Sequence, residues 1–153
     1  MLGHRLGVDP AALVFERGPQ GRPELAGRPL RFSLAHSAGL ALVAVTELAD
    51  VGADLERMDA RLAEPPSAER YFAAAERARL EELAGPARRR LFFELWTEKE
   101  AYRKATGEGI TAGLGELDWT GWTRLRPQVP DGYAAAIAVR APDAVLRLAP
   151  WPP

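Results

Sequence analysis

Val51-Gly52-Ala53-Asp54-Leu55-Glu56 reads as a β-strand with two unlike faces. Residues two apart on a strand project to the same side, so Asp54 and Glu56 point together while Val51, Ala53 and Leu55 make an apolar face. Two neighbouring anions repel unless something positive neutralises them. On an open surface, solvent and ions suffice; with the apolar face buried in a core, the carboxylate face is expected to line a cleft. The strongest helix signal lies farther along, from about Ala87 to Thr106, with Gly107 placed as the residue after its C-cap. Leu91, Leu95 and Tyr102 fall on a buried stripe there, with Phe92 and Trp96 beside it. Within Trp96-Thr97-Glu98-Lys99-Glu100-Ala101-Tyr102-Arg103-Lys104, the residues Trp96, Glu100 and Lys104 share one helix face. Standing alone, an exposed Glu100–Lys104 pair would contribute about 0.3–0.5 kcal/mol and mean nothing more. Beside a strand carrying Asp54 and Glu56, three carboxylates and two lysines suit a hard divalent cation such as Mg²⁺ and the phosphates of a substrate. The chemistry expected is phosphoryl or phosphodiester transfer, in which positioning and charge neutralisation supply most of the catalysis.

Outward from these two segments, Phe32–Leu34 and Leu40–Val45 read as short strands, and Glu47-Leu48-Ala49-Asp50 as a hairpin turn into the carboxylate strand. Residues 1–31 are punctuated by Gly and Pro, which predicts loops with one short helix near Pro10–Leu13. Pro65-Pro66-Ser67 offers Ser67 as a helix N-cap, with helical pieces at Ala68–Phe72 and Ala74–Ala84. After Gly109, strands are expected at Leu117–Trp122, Tyr133–Arg140 and Val145–Leu148. Strands, then helices, then strands give an α+β class.

Composition narrows the function classes. The chain of 153 residues suits one compact domain or two small lobes sharing a core. No apolar run approaches the roughly 18–20 residues needed to cross a bilayer, and Met1-Leu2-Gly3-His4-Arg5 lacks the apolar stretch of a secretory signal, so no membrane partner and a cytoplasmic location are expected. Without cysteine there is no disulfide framework, thiolate zinc site or thiol nucleophile. A net charge of −1 gives no electrostatic reason to expect nucleic acid as a partner. Of the 20 basic residues only Lys99 and Lys104 are lysines, both in the helix motif, where a compact ammonium differs physically from a guanidinium. His36, in Phe32-Ser33-Leu34-Ala35-His36-Ser37, is either a structural or exposed histidine or, with Ser37 beside it, a donor to phosphate. By itself Glu76 reads as a first-turn helix acid favoured by the dipole. Arg88-Arg89-Arg90 is a solvated helix face or a docking patch for an acidic partner.

Four segments in this order resemble the 4′-phosphopantetheinyl transferase superfamily, in its Sfp-like branch. Phe32-Ser33-Leu34-Ala35-His36-Ser37 resembles the family's F-N-x-S-H-S, and Val51-Gly52-Ala53-Asp54-Leu55-Glu56 its V-G-[IV]-D-[IL]-E. Arg70-Tyr71-Phe72 followed by Glu76 resembles R-F-F-x-x-x-E. Trp96-Thr97-Glu98-Lys99-Glu100-Ala101-Tyr102-Arg103-Lys104, then Gly107 and Gly109, resembles W-x-x-K-E-[AS]-x-x-K-x-x-G-x-G. The resemblance runs from about Leu6 to Val139. It implies a pseudo-dimer of two small α+β lobes with coenzyme A between them, residues 1–50 being the remnant of a truncated first lobe, 51–149 the second lobe and 150–153 a tail. It implies Asp54, Glu56 and Glu100 as Mg²⁺ ligands. Lys99 and Lys104 would hold phosphate oxygens of coenzyme A, His36 and Ser37 would contact its phosphates, and Gly21-Arg22-Pro23 would place Arg22 near its adenosine, where the family has Lys. Glu100 or a metal-held water becomes the candidate base for the serine of an acyl or peptidyl carrier protein, with Lys99, Lys104 and Glu76 as further catalytic residues.

Three departures stand out. Ala35 replaces the family serine before His36, Ala73 replaces a common Ser after the Phe pair, and the beginning of the first lobe is expected to be missing or supplied by a second chain. A monomer is therefore expected, or a homodimer if the truncation is real. The competing readings are a non-catalytic protein that binds coenzyme A or the carrier, and, more distantly, a Mg²⁺-dependent phosphohydrolase.

Overall fold

The computed structural model describes residues 1–18, 21–47, 49–63, 71–107 and 115–150. The expected N-cap Ser67, most of the helix at Ala68–Phe72, Arg70, Gly109 and Trp151 to Pro153 lie outside them. The class is α+β, as expected from the order of elements.

Strands β3 (Arg31–Ser37) and β4 (Leu40–Thr46) form an antiparallel hairpin, with Ser37 opposite Leu40 and Arg31 opposite Thr46. Ala38 and Gly39 turn it, at φ 44° and 85°. Positive φ at both residues of a two-residue loop is the geometry whose twist matches paired strands. The hairpin expected at Glu47–Asp50 is thus corrected: β4 pairs back onto β3, and β5 (Val51–Arg57) belongs to another sheet. That sheet is antiparallel in the order β5-β7-β6, with β7 (Tyr133–Val139) central and β6 (Thr123–Leu125) outside.

Hairpin and sheet meet along a seam closed by side chains. Ser33 Oγ accepts from the Ala53 amide at 2.9 Å, and Ser37 Oγ accepts from the Arg57 amide at 3.0 Å. Both bonds keep the same offset in sequence, so β3 and β5 run parallel there. These serine hydroxyls stand where a ladder would use main-chain carbonyls.

Helix α2 (Ala74–Glu81) and the long helix α3 (Gly85–Thr106) follow. Gly107, at φ 74°, caps α3 in the left-handed conformation that glycine adopts without steric cost. α3 covers one face of the sheet. It can lie close because β7 presents Ala136 and Ala138 to Ala101 and Ala105 of the helix. On the opposite face Val51, Ala53, Ile137 and Val139 pack with Ala44 of the hairpin. The near end of α3 buries Phe92, Phe93 and Leu95 with Phe72 and Leu80, so Phe93 joins the stripe while Leu91, Trp96 and Tyr102 are half-buried. From Thr97 to Ala101 every residue of α3 is buried, including Glu98, Lys99 and Glu100.

Several other expectations are corrected. The first thirty-odd residues are more ordered than their Gly and Pro content suggests: α1 (Leu2–Leu6), a 3₁₀ turn at Pro10–Ala12, and a hairpin of β1 (Phe15–Arg17) with β2 (Pro23–Leu25). They order because Leu2, Leu6 and Leu13 pack against Leu25, Leu30 and Phe32. Leu117–Trp122 is not a strand. Asp118 Oδ1 accepts from the Thr120 amide and the Trp122 amide donates to the Trp119 carbonyl, which turns the segment so that Trp119 meets Tyr102 edge-on and Trp122 meets it at a tilt. Val145–Leu148 forms no strand either, and Val145 is 86% exposed.

Candidate active site

The site begins with a glycine. On β5, Gly52, Asp54 and Glu56 share one face, opposite Ala138, Ala136 and Ala134 of β7, the face that α3 covers. A methyl group on Gly52 would overlap the Ala101 carbonyl oxygen and crowd the Ala105 amide. Glycine therefore lets strand and helix backbones touch, the use a strand-interior glycine commonly has. With that contact made, Asp54 comes under the last turns of α3, where Glu100 and Lys104 project.

Asp54 is 4% and Glu100 8% exposed. Lys104 Nζ donates to Asp54 Oδ1 at 2.7 Å, with the lysine side chain 36% exposed at the edge of the site. Asp54 Oδ2 and Glu100 Oε1 are buried and make no hydrogen bond. Burial pushes the Asp54 pKa up from the ordinary aspartate value, opposed by Lys104. Glu100 is raised first by burial and then by the Asp54 charge, with Lys104 and Arg103 opposing. Glu56 is raised by burial and by Asp54, while the hydroxyl of Ser37, donating to Glu56 Oε2 at 3.2 Å, lowers it. The helix acid Glu100 thus lies within electrostatic reach of Asp54 and Glu56 on the strand.

Other expected residues lie elsewhere. Lys99 is 3% exposed; its ammonium donates to Glu76 Oε2 at 2.9 Å and to the Gly115 carbonyl, and lies 5.9 Å from the centre of the Phe72 ring. Glu76 also accepts the Ala73 amide at 2.8 Å. Lys99 and Glu76 thus form an ion pair that ties α2 to α3. His36 is exposed on β3, next to the Ser37–Glu56 contact. Arg22 donates to the carbonyls of Phe32, Val51, Lys104 and Ala105. A small cleft lined by Arg22, Glu24, Arg28, Arg31 and Phe32 opens beside it, and none of the three carboxylates lines that cleft.

Among the described residues, no three acidic or histidine side chains are already gathered at ligating distance of one point. Lys104, bonded to Asp54 Oδ1, supplies the positive charge instead. The donor set nonetheless fits a hard divalent cation: three carboxylates with the Asp54 charge raising the pKa of Glu56 and of Glu100, and a buried oxygen on Asp54 and on Glu100 that lacks a donor.

The family model of the 4′-phosphopantetheinyl transferase superfamily matches residues 50–144, well over half of the chain and every element of this site on β5 and α3. The chain belongs to that superfamily. Three curated members are similar to it. The Synechocystis protein slr0495, which carries the name of a 4′-phosphopantetheinyl transferase, is 41% identical over 120 residues, covering 76% of this chain and 49% of its own. The 4′-phosphopantetheinyl transferase HetI of Nostoc is 35% identical over 156 residues, 91% of this chain and 65% of its own. The 4′-phosphopantetheinyl transferase psf-1 of Bacillus pumilus is 39% identical over 132 residues, 82% of this chain and 54% of its own. The chain thus spans about half to two thirds of the length of these superfamily members.

Sequence reasoning gave no role to Gly52 or Ser33, although both lie inside motifs it quoted. A glycine inside a strand often marks close backbone approach and was the clue available for the first. For Ser33 no local signal exists, because its partner amide belongs to a strand paired elsewhere.

Proposed function

We propose that this superfamily member transfers the 4′-phosphopantetheine arm of coenzyme A to a serine hydroxyl of an acyl or peptidyl carrier protein, releasing 3′,5′-ADP. The observation that carries this reading is the apposition of β5 and α3, which brings the buried Asp54 and Glu100 and the half-buried Glu56 and Lys104 into one electrostatically coupled group. Asp54, Glu56 and Glu100 would hold a magnesium ion, which when bound neutralises charge on the coenzyme A pyrophosphate. Lys104 sits at the edge of the group and can exchange its carboxylate partner for a phosphate oxygen without leaving its helix. Ser37 contacts Glu56 directly, and the exposed His36 beside it on β3 would meet a phosphate from the strand's other face. Glu100 is the candidate to take the proton of the carrier serine. The serine oxygen then bonds to the β-phosphorus as the phosphorus–oxygen bond to 3′,5′-ADP breaks. The Lys99–Glu76 pair acts at a remove, fixing α3 against α2.

The experiment is an intact-mass measurement on apo acyl and peptidyl carriers incubated with the chain, coenzyme A and Mg²⁺. A gain of one phosphopantetheine, abolished by chelator, is expected. Absence of any gain, from folded protein that still binds coenzyme A, would leave a non-catalytic coenzyme A-binding protein instead.

A further inference from the structure

Arg22 reaches three elements at once. Its Nη1 donates to the Lys104 carbonyl at 2.7 Å and the Ala105 carbonyl at 3.4 Å, in the last turn of α3. Its Nη2 donates to the Phe32 carbonyl in β3 at 3.0 Å and the Val51 carbonyl in β5 at 2.9 Å. Carbonyls in the last turn of a helix lack intrahelical donors, and a cation there also complements the negative end of the dipole. A guanidinium has five N–H groups; the four on Nη1 and Nη2 meet four carbonyls here, leaving Nε–H. A phosphate would have to displace main-chain acceptors to bind this side of the guanidinium.

We infer that Arg22 is a positioning residue that sets the separation of Lys104 and Asp54 by holding the Lys104 main chain against β3 and β5, and is no ligand of coenzyme A. The inference rests on the proposed function, because its consequence is read in coenzyme A affinity. The geometry also explains why arginine serves here: a planar fork spans helix and strand together, which a single ammonium cannot.

The test measures binding of coenzyme A and of 3′-dephospho-coenzyme A, with Mg²⁺, to the wild-type chain and to Arg22→Gln, Arg22→Lys, Lys104→Met and the Arg22→Gln/Lys104→Met double variant, with melting temperatures alongside. Arg22→Gln is expected to weaken both ligands by the same factor, about tenfold or ~1.4 kcal/mol, with partial rescue in Arg22→Lys. In the Lys104→Met background it should weaken neither further, since effects acting through a shared partner are non-additive. If Arg22→Gln does not fold, Arg22→Lys carries the same comparison with a smaller loss. Loss confined to coenzyme A, sparing the dephospho form, would make Arg22 a direct 3′-phosphate ligand and overturn the inference. So would a lower melting temperature with both affinities intact. A wild-type chain that binds neither ligand would remove the proposed function itself, an outcome distinct from the other two.

Discussion

Lys104 Nζ lies 2.7 Å from Asp54 Oδ1, across the junction where α3 rests on β5. The contact joins the two motifs whose residue types point to phosphate chemistry, and it exists because nothing larger than a hydrogen projects from Gly52.

Gly52→Ala is expected to be among the most damaging single-methyl changes in this chain. Overpacking typically costs about 1–3 kcal/mol, and a collision with main chain rather than a side-chain tip belongs at or above the top of that range. Thermal unfolding would show it, and an unchanged melting temperature would mean that strand and helix do not touch at Gly52.

Glu100→Gln should separate stability from activity. Burial and the Asp54 charge both oppose ionisation of Glu100, so a neutral isostere removes a destabilising charge. The melting temperature without divalent cation is expected to hold or rise, while transfer falls by about 10²–10⁴-fold through loss of a proton acceptor. Retained transfer, measured by carrier mass, would remove Glu100 from the chemistry.

Stability without divalent cation should depend on pH with a definite sign. The folded-state pKa values of Asp54, Glu56 and Glu100 are all raised by burial. Between the ordinary carboxylate range near ~4 and those raised values, the folded chain binds more protons than the unfolded one. The contribution is present in full below that window and is lost as pH rises through it. In chelator, the melting temperature is expected to fall as pH rises above the ordinary carboxylate range and through the raised values, and Mg²⁺ should restore most at the upper end of that fall. A flat profile in chelator, or no Mg²⁺ effect at the upper end, would show that the three carboxylates are not a strained group.

Ala73→Ser should stabilise α2. Ala73 stands at its N-cap with φ −63° and ψ 160°, and Glu76 already returns a carboxylate to its amide, but alanine has no oxygen to offer the helix. A serine completes the reciprocal cap and should add about 0.5–1 kcal/mol, read as an increased melting temperature.

What was legible in the sequence divides by range. The α+β class, the α3 boundary at Thr106 with its Gly107 cap, and the shared face of Asp54 and Glu56 follow from local periodicity and turn chemistry. The pairing of strands did not. Two candidate turns flank β4, and the positive-φ pair Ala38-Gly39 took the hairpin, leaving Asp50 as the approach to a different sheet. The short strands β1 and β2 depend on leucines from α1 and are not visible in their own residues. Within the site, carboxylates at fixed helical and strand spacing announce themselves. A buried Lys99 paired with Glu76, or an Arg22 bound to four distant carbonyls, depends on where the chain folds back, which no spacing encodes.

The central claim is that Asp54, Glu56 and Glu100 act as one cation site. Titration of Mn²⁺, followed by its electron paramagnetic resonance signal in the presence of coenzyme A, tests it without relying on turnover. The expected result is one ion bound per wild-type chain, competed by Mg²⁺, with binding largely lost in Asp54→Asn and in Glu100→Gln. Undiminished binding in Glu100→Gln would contradict it, because the helix acid would then have no part in holding the metal.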